Sequence, residues 1–216
     1  MTERVARRPG PRSDVDVPRA LVLTAERLFA EQGVAEVSMR AVAREAGVAP
    51  AAVTYHFPTK ADLVTAILRR RTETVGGAIR DRLLALVARG ADEPPVAREL
   101  MAAVVEPIVD SVEGEGPTGR GWLKIFARLA QADDPIFVDQ IDRSGVSEAF
   151  ARAAARVVPG YREDREVRLR VGFAMFTTLY SLAGADLVGH GRPAAEELPG
   201  WYVEQLLVFT AAGIEA

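Results

Sequence analysis

Two short helical segments that meet at Gly47 constrain the fold of this chain more than any other sequence feature. The first begins at Ser38, a good N-cap residue, and the second begins at Pro50, which is tolerated in a first helical turn. Helices shorter than about 12 residues are marginal in water, so the two must be stabilised by packing. Three valines are spaced to pack between them: Val42, Val48 and Val53. The segment therefore predicts a helix-turn-helix unit.

Longer amphipathic helices are predicted on both sides of this unit. Residues 17–32 carry apolar residues at helical spacing, and Gly33 supplies a C-terminal cap. Thr59 and Asp62 have the spacing of a capping box that opens a long helix to about Arg89. The Gly76-Gly77 pair is a weak point in the middle of that helix.

Beyond Gly90, breakers divide the chain into about five more helical stretches, one of which should kink or stop at Pro107. No run of alternating apolar residues predicts a strand. The expected fold is all-α, with an N-terminal helix-turn-helix three-helix head, a C-terminal helical bundle and about nine helices. The predicted divisions are a flexible basic arm (1–16), a helix-turn-helix domain (17–62) and a second domain (63–216).

Composition narrows the possible functions. Of the 216 residues, 49% are hydrophobic and none is cysteine, which favours a globular protein of a reducing compartment, the cytoplasm by default. The longest uncharged stretch, 171–185, is too short to span a membrane. With two distant histidines, no cysteine and no phosphate-binding loop, the sequence predicts neither an enzyme nor a metal or cofactor site. Residues 1–70 carry a net charge of +3 and the remainder −6, which fits an anion-binding head on an acidic body.

The outward positions of the second short helix suggest DNA as that anion. Its residues are small at the start and able to donate hydrogen bonds at the end, as expected for a helix that enters the major groove. Phe57 is expected in the core instead. Ser38 at a helix N-terminus, with Arg40 and Lys60 on either side of the unit, can bind phosphates.

The segment SMRAVAREAGVAPAAVTYHFPTKADL resembles the DNA-binding signature of the TetR family of bacterial repressors. The resemblance rests on Ala46-Gly47-Val48, Tyr55-His56-Phe57 and Thr59-Lys60. It implies double-stranded operator DNA as partner and contacts from these residues: Ser38, Arg40, Ala51, Ala52, Thr54, Tyr55, His56 and Lys60. Thr54 departs from the family pattern, because many relatives have an aromatic residue there, and it implies a shorter phosphate contact.

In the family the remaining helices bind a small molecule, and the last two long helices form a homodimer. Here those helices are expected at about 162–188 and 199–212. Large apolar side chains near the centre of the bundle are the predicted ligand contacts: Met101, Trp122, Phe126, Met175, Phe176 and Tyr180. They indicate a small hydrophobic effector, such as a fatty-acyl compound, an aromatic compound or a lipophilic drug.

The sequence thus predicts a ligand-responsive DNA-binding transcriptional regulator, a repressor released from its operator by a hydrophobic effector. The alternative is a helical ligand-binding or interaction protein that no longer reads DNA. The basic residues of the arm, Arg4, Arg7, Arg8 and Arg12, either enter a minor groove or remain solvated.

Overall fold

The computed structural model describes residues 16–90, 92–114, 120–185 and 198–216, and within these ranges there is no strand. The helices are α1 (Val17–Gln32), α2 (Met39–Glu45), α3 (Pro50–His56), α4 (Lys60–Arg71), α5 (Gly77–Ala88), α6 (Ala97–Gly114), α7 (Gly121–Gln131), α8 (Pro135–Ser144), α9 (Val146–Val157), α10 (Arg165–Ala183) and α11 (Gly200–Glu215). With α4 and α5 counted as one interrupted helix, the described residues form ten helices. The all-α prediction is confirmed, and no helix in the described ranges is long and apolar enough to cross a membrane.

The ends of the head helices follow the predicted capping signals. The Ser38 hydroxyl accepts a hydrogen bond from the Ala41 amide at 3.1 Å. Thr59 and Asp62 form a reciprocal capping box, with each side chain bonded to the backbone amide of the other. Gly47 adopts a φ of +68°, which L side chains disfavour, so the tight turn between α2 and α3 favours glycine there. Asp16, assigned to the arm, caps α1 by accepting from the Arg19 amide, and the rest of the arm lies outside the described residues.

The long helix predicted from Thr59 to about Arg89 is interrupted by one π-helical turn, Thr72–Gly76. The hydroxyls of Thr72 and Thr74 donate to backbone carbonyls of the preceding turn, which competes with regular helical pairing. Gly76, which ends the turn, and Gly77, which follows it, have low helix propensity. The chain therefore changes its helical repeat at the point where α4 leaves the head.

Helix α6 does not stop at Pro107, one of the two predicted outcomes, but continues to Gly114. A proline inside a helix removes a hydrogen bond and costs about 3 kcal/mol. Burial offsets that cost, because Leu100, Val105 and Val112 on the same helix are fully buried.

The head is joined to the body through α1, α4 and α7. Gly121 allows α7 to lie close to α1, since a Cβ at this position would lie only 3.1 Å from the Cβ of Ala30. Arg128 of α7 donates to the carbonyl of Phe29 at 3.1 Å, at the C-terminal end of α1, where a cation is favourable.

A buried ion-pair cluster reinforces this junction. Glu26 of α1, whose side chain is 7% exposed, accepts hydrogen bonds from Arg71 and from Arg70, the latter at 3.2 Å. Arg71 is 3% exposed and its guanidinium carbon lies 5.3 Å from the ring centre of Trp122 in α7. The cluster thus connects the head to the end of α4 and to the body.

We expect Glu26→Gln to lower the free energy of unfolding by about 3 kcal/mol, because it removes the buried carboxylate that pairs with the Arg71 guanidinium. Urea denaturation followed by circular dichroism measures the change. Glu31→Gln is the matched control on the same helix, since its pair with Arg27 is solvent-exposed and its loss should change stability by no more than about 0.5 kcal/mol. Equal losses in both variants would contradict a structural role for the Glu26 cluster.

Candidate nucleic-acid interface and internal cavity

The side chains of α3 divide between the core and an exposed face. Val53 is 1% exposed and belongs to the same hydrophobic core as Val42 of α2, whereas Tyr55 is 82% exposed. Ala51 and Thr54 are also exposed, and Ala52 and His56 are half-buried. Phe57 packs against the core, as expected. The outward face of α3 is therefore small near Ala51 and rich in hydrogen-bonding groups near its C-terminal end.

Tyr55 and His56 pack edge to face, with ring centres 5.0 Å apart, which restricts their orientation. The Thr54 hydroxyl lies 3.5 Å from the Pro50 carbonyl, at the long limit of a hydrogen bond. The group is therefore weakly held and can turn toward a ligand.

Ser38 and Arg40 lie at the exposed start of α2, which packs against α3. Arg40 forms no ion pair within the described part of the chain. The start of α2 and the outward face of α3 thus present backbone amides, a guanidinium and hydroxyls that suit phosphates and base edges.

Lys60 has a structural contact that the sequence analysis did not foresee. Its ammonium group donates to the carbonyls of Val34 and Ala35, at 2.9 and 3.0 Å. These bonds join the start of α4 to the turn between α1 and α2. They therefore hold the helix-turn-helix of α2 and α3 between its two neighbouring helices. Two of the three ammonium donors thereby serve the fold.

The body contains a cavity of about 440 Å³, within the size range of small-molecule sites. Its walls come from α6 to α10 and from the junction of α4 and α5, including Thr72, Val75 and Gly76 of the π turn. Most lining side chains are aliphatic or aromatic. Trp122, Phe126 and Phe137 pack edge to face in a row, with ring centres 5.1 and 5.6 Å apart.

The structure brings four of the predicted ligand contacts together: Trp122, Phe126, Met175 and Phe176 all line the cavity. Met101 is fully buried but does not line it. Tyr180 also lies outside the lining, with its ring stacked on Phe176 at the surface of α10.

Residues 21–67, which contain α2 and α3, match the sequence profile described as bacterial regulatory proteins, tetR family. The head of the chain is therefore similar to the DNA-binding region of TetR-family proteins.

Relatives and solved structures extend the similarity beyond the head. The chain is 25% identical over 152 residues to the HTH-type transcriptional regulator BetI of Brucella anthropi, covering 66% of this chain and 77% of that protein. It is 28% identical over 179 residues to BetI 2 of Chromohalobacter salexigens, covering 82% of each.

The ketosteroid transcriptional regulator KstR2 of Mycobacterium tuberculosis has the same fold, with a TM-score of 0.64, 21% identity and 99% and 100% coverage of the two chains. The multidrug binding protein EbrR superposes with a TM-score of 0.54, 23% identity and coverage of 92% and 96%. The chain is thus similar to DNA-binding transcriptional regulators in the sequence of its head and over most of its length.

Sequence reasoning missed Glu26, Arg71 and the π turn. A signal was present, since Glu26 and Arg71 fall at helical spacing on the apolar faces of α1 and α4, beside Phe29 and Leu68. A charge on such a face predicts a buried partner. The identity of the partner requires the tertiary structure, because 45 residues separate the two.

We expect Tyr55→Ala to weaken binding to operator DNA by about tenfold to a hundredfold while leaving the melting temperature nearly unchanged, because the side chain is exposed. Fluorescence anisotropy and thermal unfolding measure the two effects. Val53→Ala is the contrasting variant on the same helix, where the main effect should be a loss of stability. A large fall in melting temperature for Tyr55→Ala would contradict the prediction, because it would show that the Tyr55 side chain stabilises the folded head.

Proposed function

We propose that this chain is a repressor that leaves its operator when a small hydrophobic effector occupies the cavity. The observation that carries the proposal is that the cavity is lined by the π turn through which the head helix α4 continues into α5. A ligand in the cavity therefore contacts the backbone that positions the helix-turn-helix. The working divisions are those predicted above: arm 1–16, DNA-binding domain 17–62 and effector and dimerisation domain 63–216.

The proposed DNA contacts come from the start of α2, the outward face of α3 and the start of α4. They are Ser38, Arg40, Ala51, Ala52, Thr54, Tyr55, His56 and Lys60. Lys60 contributes its remaining donor to a phosphate while it holds the turn. Such a regulator acts where the chromosome lies, so the proposed location is the cytoplasm.

A homodimer through α10 and α11 is proposed because both helices expose apolar stripes. On α10 four side chains at spacings of four, three and four residues are 37–64% exposed: Leu169, Phe173, Phe176 and Tyr180. On α11 three are 49–67% exposed: Trp201, Val208 and Phe209. Exposed apolar patches of this kind mark interaction surfaces, and a two-fold mate would cover them with the same patch. The dimer would hold two α3 helices roughly 34–36 Å apart, the spacing of successive major grooves.

The proposed coupling runs through Arg71 and the π turn. Arg71 lines the cavity, stacks on Trp122 and bonds Glu26 of the head. An effector that moves Trp122 or straightens the π turn would shift α1 and α4 together and change the spacing of the two α3 helices. Bound effector must then weaken the binding of DNA, and bound DNA must weaken the binding of effector by the same factor. A large response requires a coupling free energy of a few kcal/mol between the two sites.

Anisotropy with DNA from immediately upstream of the coding sequence, at two salt concentrations, tests the regulatory function. Sequence-selective binding that falls steeply with salt is expected, because phosphate contacts dominate affinity. Weak binding that is equal on a scrambled duplex would favour the alternative, a ligand-binding protein that no longer reads DNA.

We expect Gly172→Phe to retain operator binding but to lose the effector response. Gly172 lines the cavity, and a Cβ built there meets no atom within 4 Å, so the added ring can occupy the open space. An operator-release titration measures the response, and light scattering checks that the dimer is retained. Gly172→Ala is the matched control, which leaves the cavity open and should keep the response. An unchanged response in Gly172→Phe would exclude this cavity as the effector site.

We expect Phe173→Glu to convert the dimer to a monomer at micromolar concentration, because it places a charge in the centre of the proposed interface. Size exclusion with light scattering measures the mass. Val138→Glu on α8, also an exposed apolar position, should remain dimeric. A dimeric Phe173→Glu variant would place the interface elsewhere.

A further inference from the structure

The walls of the cavity have an uneven distribution of charge. Among the described residues, the lining includes two arginines, Arg71 and Arg168, and no aspartate or glutamate. The rest of the described wall is mainly apolar and contains no carboxylate that could pair with the Arg168 guanidinium inside the cavity. This pattern favours a ligand that combines an apolar body with an anionic group.

The two arginines differ in how their charge is compensated. Arg71 is buried and is held by the carboxylate of Glu26. Arg168 is exposed and has no carboxylate within ion-pair distance in the described ranges. One of its terminal nitrogens donates to the carbonyls of Arg162, at 2.8 Å, and Tyr161, at 3.5 Å. These contacts orient the guanidinium and leave its other nitrogens available to a carboxylate.

The two arginines also lie at opposite ends of the cavity. Helix α9 follows α5 in the same direction, from a contact between Val146 and Gly76 to a bond between Arg156 and the carbonyl of Arg89. Tyr161 follows the far end of α9, so the bond between Arg168 and the Tyr161 carbonyl places this arginine away from the π turn. Arg71 directly precedes that turn.

The lining of the cavity extends along much of α10. Lining residues on this helix extend from Arg168 to Leu179. At 1.5 Å per residue, eleven steps correspond to about 16 Å. An extended acyl chain of medium length matches that distance.

We infer that the effector is an elongated amphiphile with one anionic head, a medium-chain fatty carboxylate or close analogue. Its head binds Arg168 at the exposed end, and its chain follows α10 toward Trp122 and the π turn. The inference rests on the proposed function and specifies the chemical class of its effector. It also predicts that the response depends on chain length, since only a long enough chain reaches the π turn.

Isothermal titration with dodecanoate and with 1-dodecanol, below their aggregation concentrations, separates the head from the chain. The intact protein should bind dodecanoate about tenfold more tightly than dodecanol, as expected for one charge-assisted contact. Arg168→Gln should remove that difference and leave dodecanol binding unchanged. Arg165→Gln is the matched control, an exposed arginine on the same helix that does not line the cavity.

Equal binding of both probes to the intact protein would overturn the inference, as would an equal loss of both in Arg168→Gln. A series from octanoate to octadecanoate should show affinity rising to an optimum near dodecanoate, and a flat series would contradict the elongated site. Operator release is measured separately with the same probes. Binding that depends on Arg168 without release of DNA would support the ligand class and count against the proposed repressor mechanism.

Discussion

The buried contact between Arg71 and Glu26 is the interaction on which the relation of head and body depends. Arg71 is the last residue of α4, Glu26 is in the first helix, and the ring of Trp122 beneath the guanidinium belongs to the bundle. A buried charge is tolerated only when it is paired, so these three elements are restricted to arrangements that keep the pair together. That restriction makes the position of the helix-turn-helix dependent on the packing of the body.

The π turn has a complementary effect. Regular α-helix would transmit any displacement of α5 rigidly to α4, whereas the turn at 72–76 introduces an irregularity beside the cavity. Single π-helical turns are frequently found at functional sites. The protein thus combines the buried contact between Arg71 and Glu26 with an irregular turn of backbone at 72–76, which begins at the next residue.

Local signals allowed the head to be predicted from the sequence. Ser38, Gly47 and the Thr59-Asp62 box each act within a few residues, so their effect does not depend on the rest of the fold. The cavity could be predicted only in part, because Met101 and Trp122 are both large, mainly apolar and buried, and only packing decides which one faces a void. Lys60 illustrates the same limit. A basic residue near a helix-turn-helix suggests a phosphate contact, and the sequence gives no sign of its carbonyl partners, because they lie 25 and 26 residues earlier in the chain.

The division of α3 into one buried valine and an exposed outer face has an evolutionary consequence. Val53 maintains the packing of the helix, while Ala51, Thr54 and Tyr55 contribute little to the stability of the head. Surface positions of this kind usually tolerate substitution within about 0.5 kcal/mol. A duplicated copy of such a regulator could therefore acquire a new operator through successive single changes on α3, without passing through a poorly folded intermediate. Selection on recognition and selection on folding would act on different residues of the same seven-residue helix.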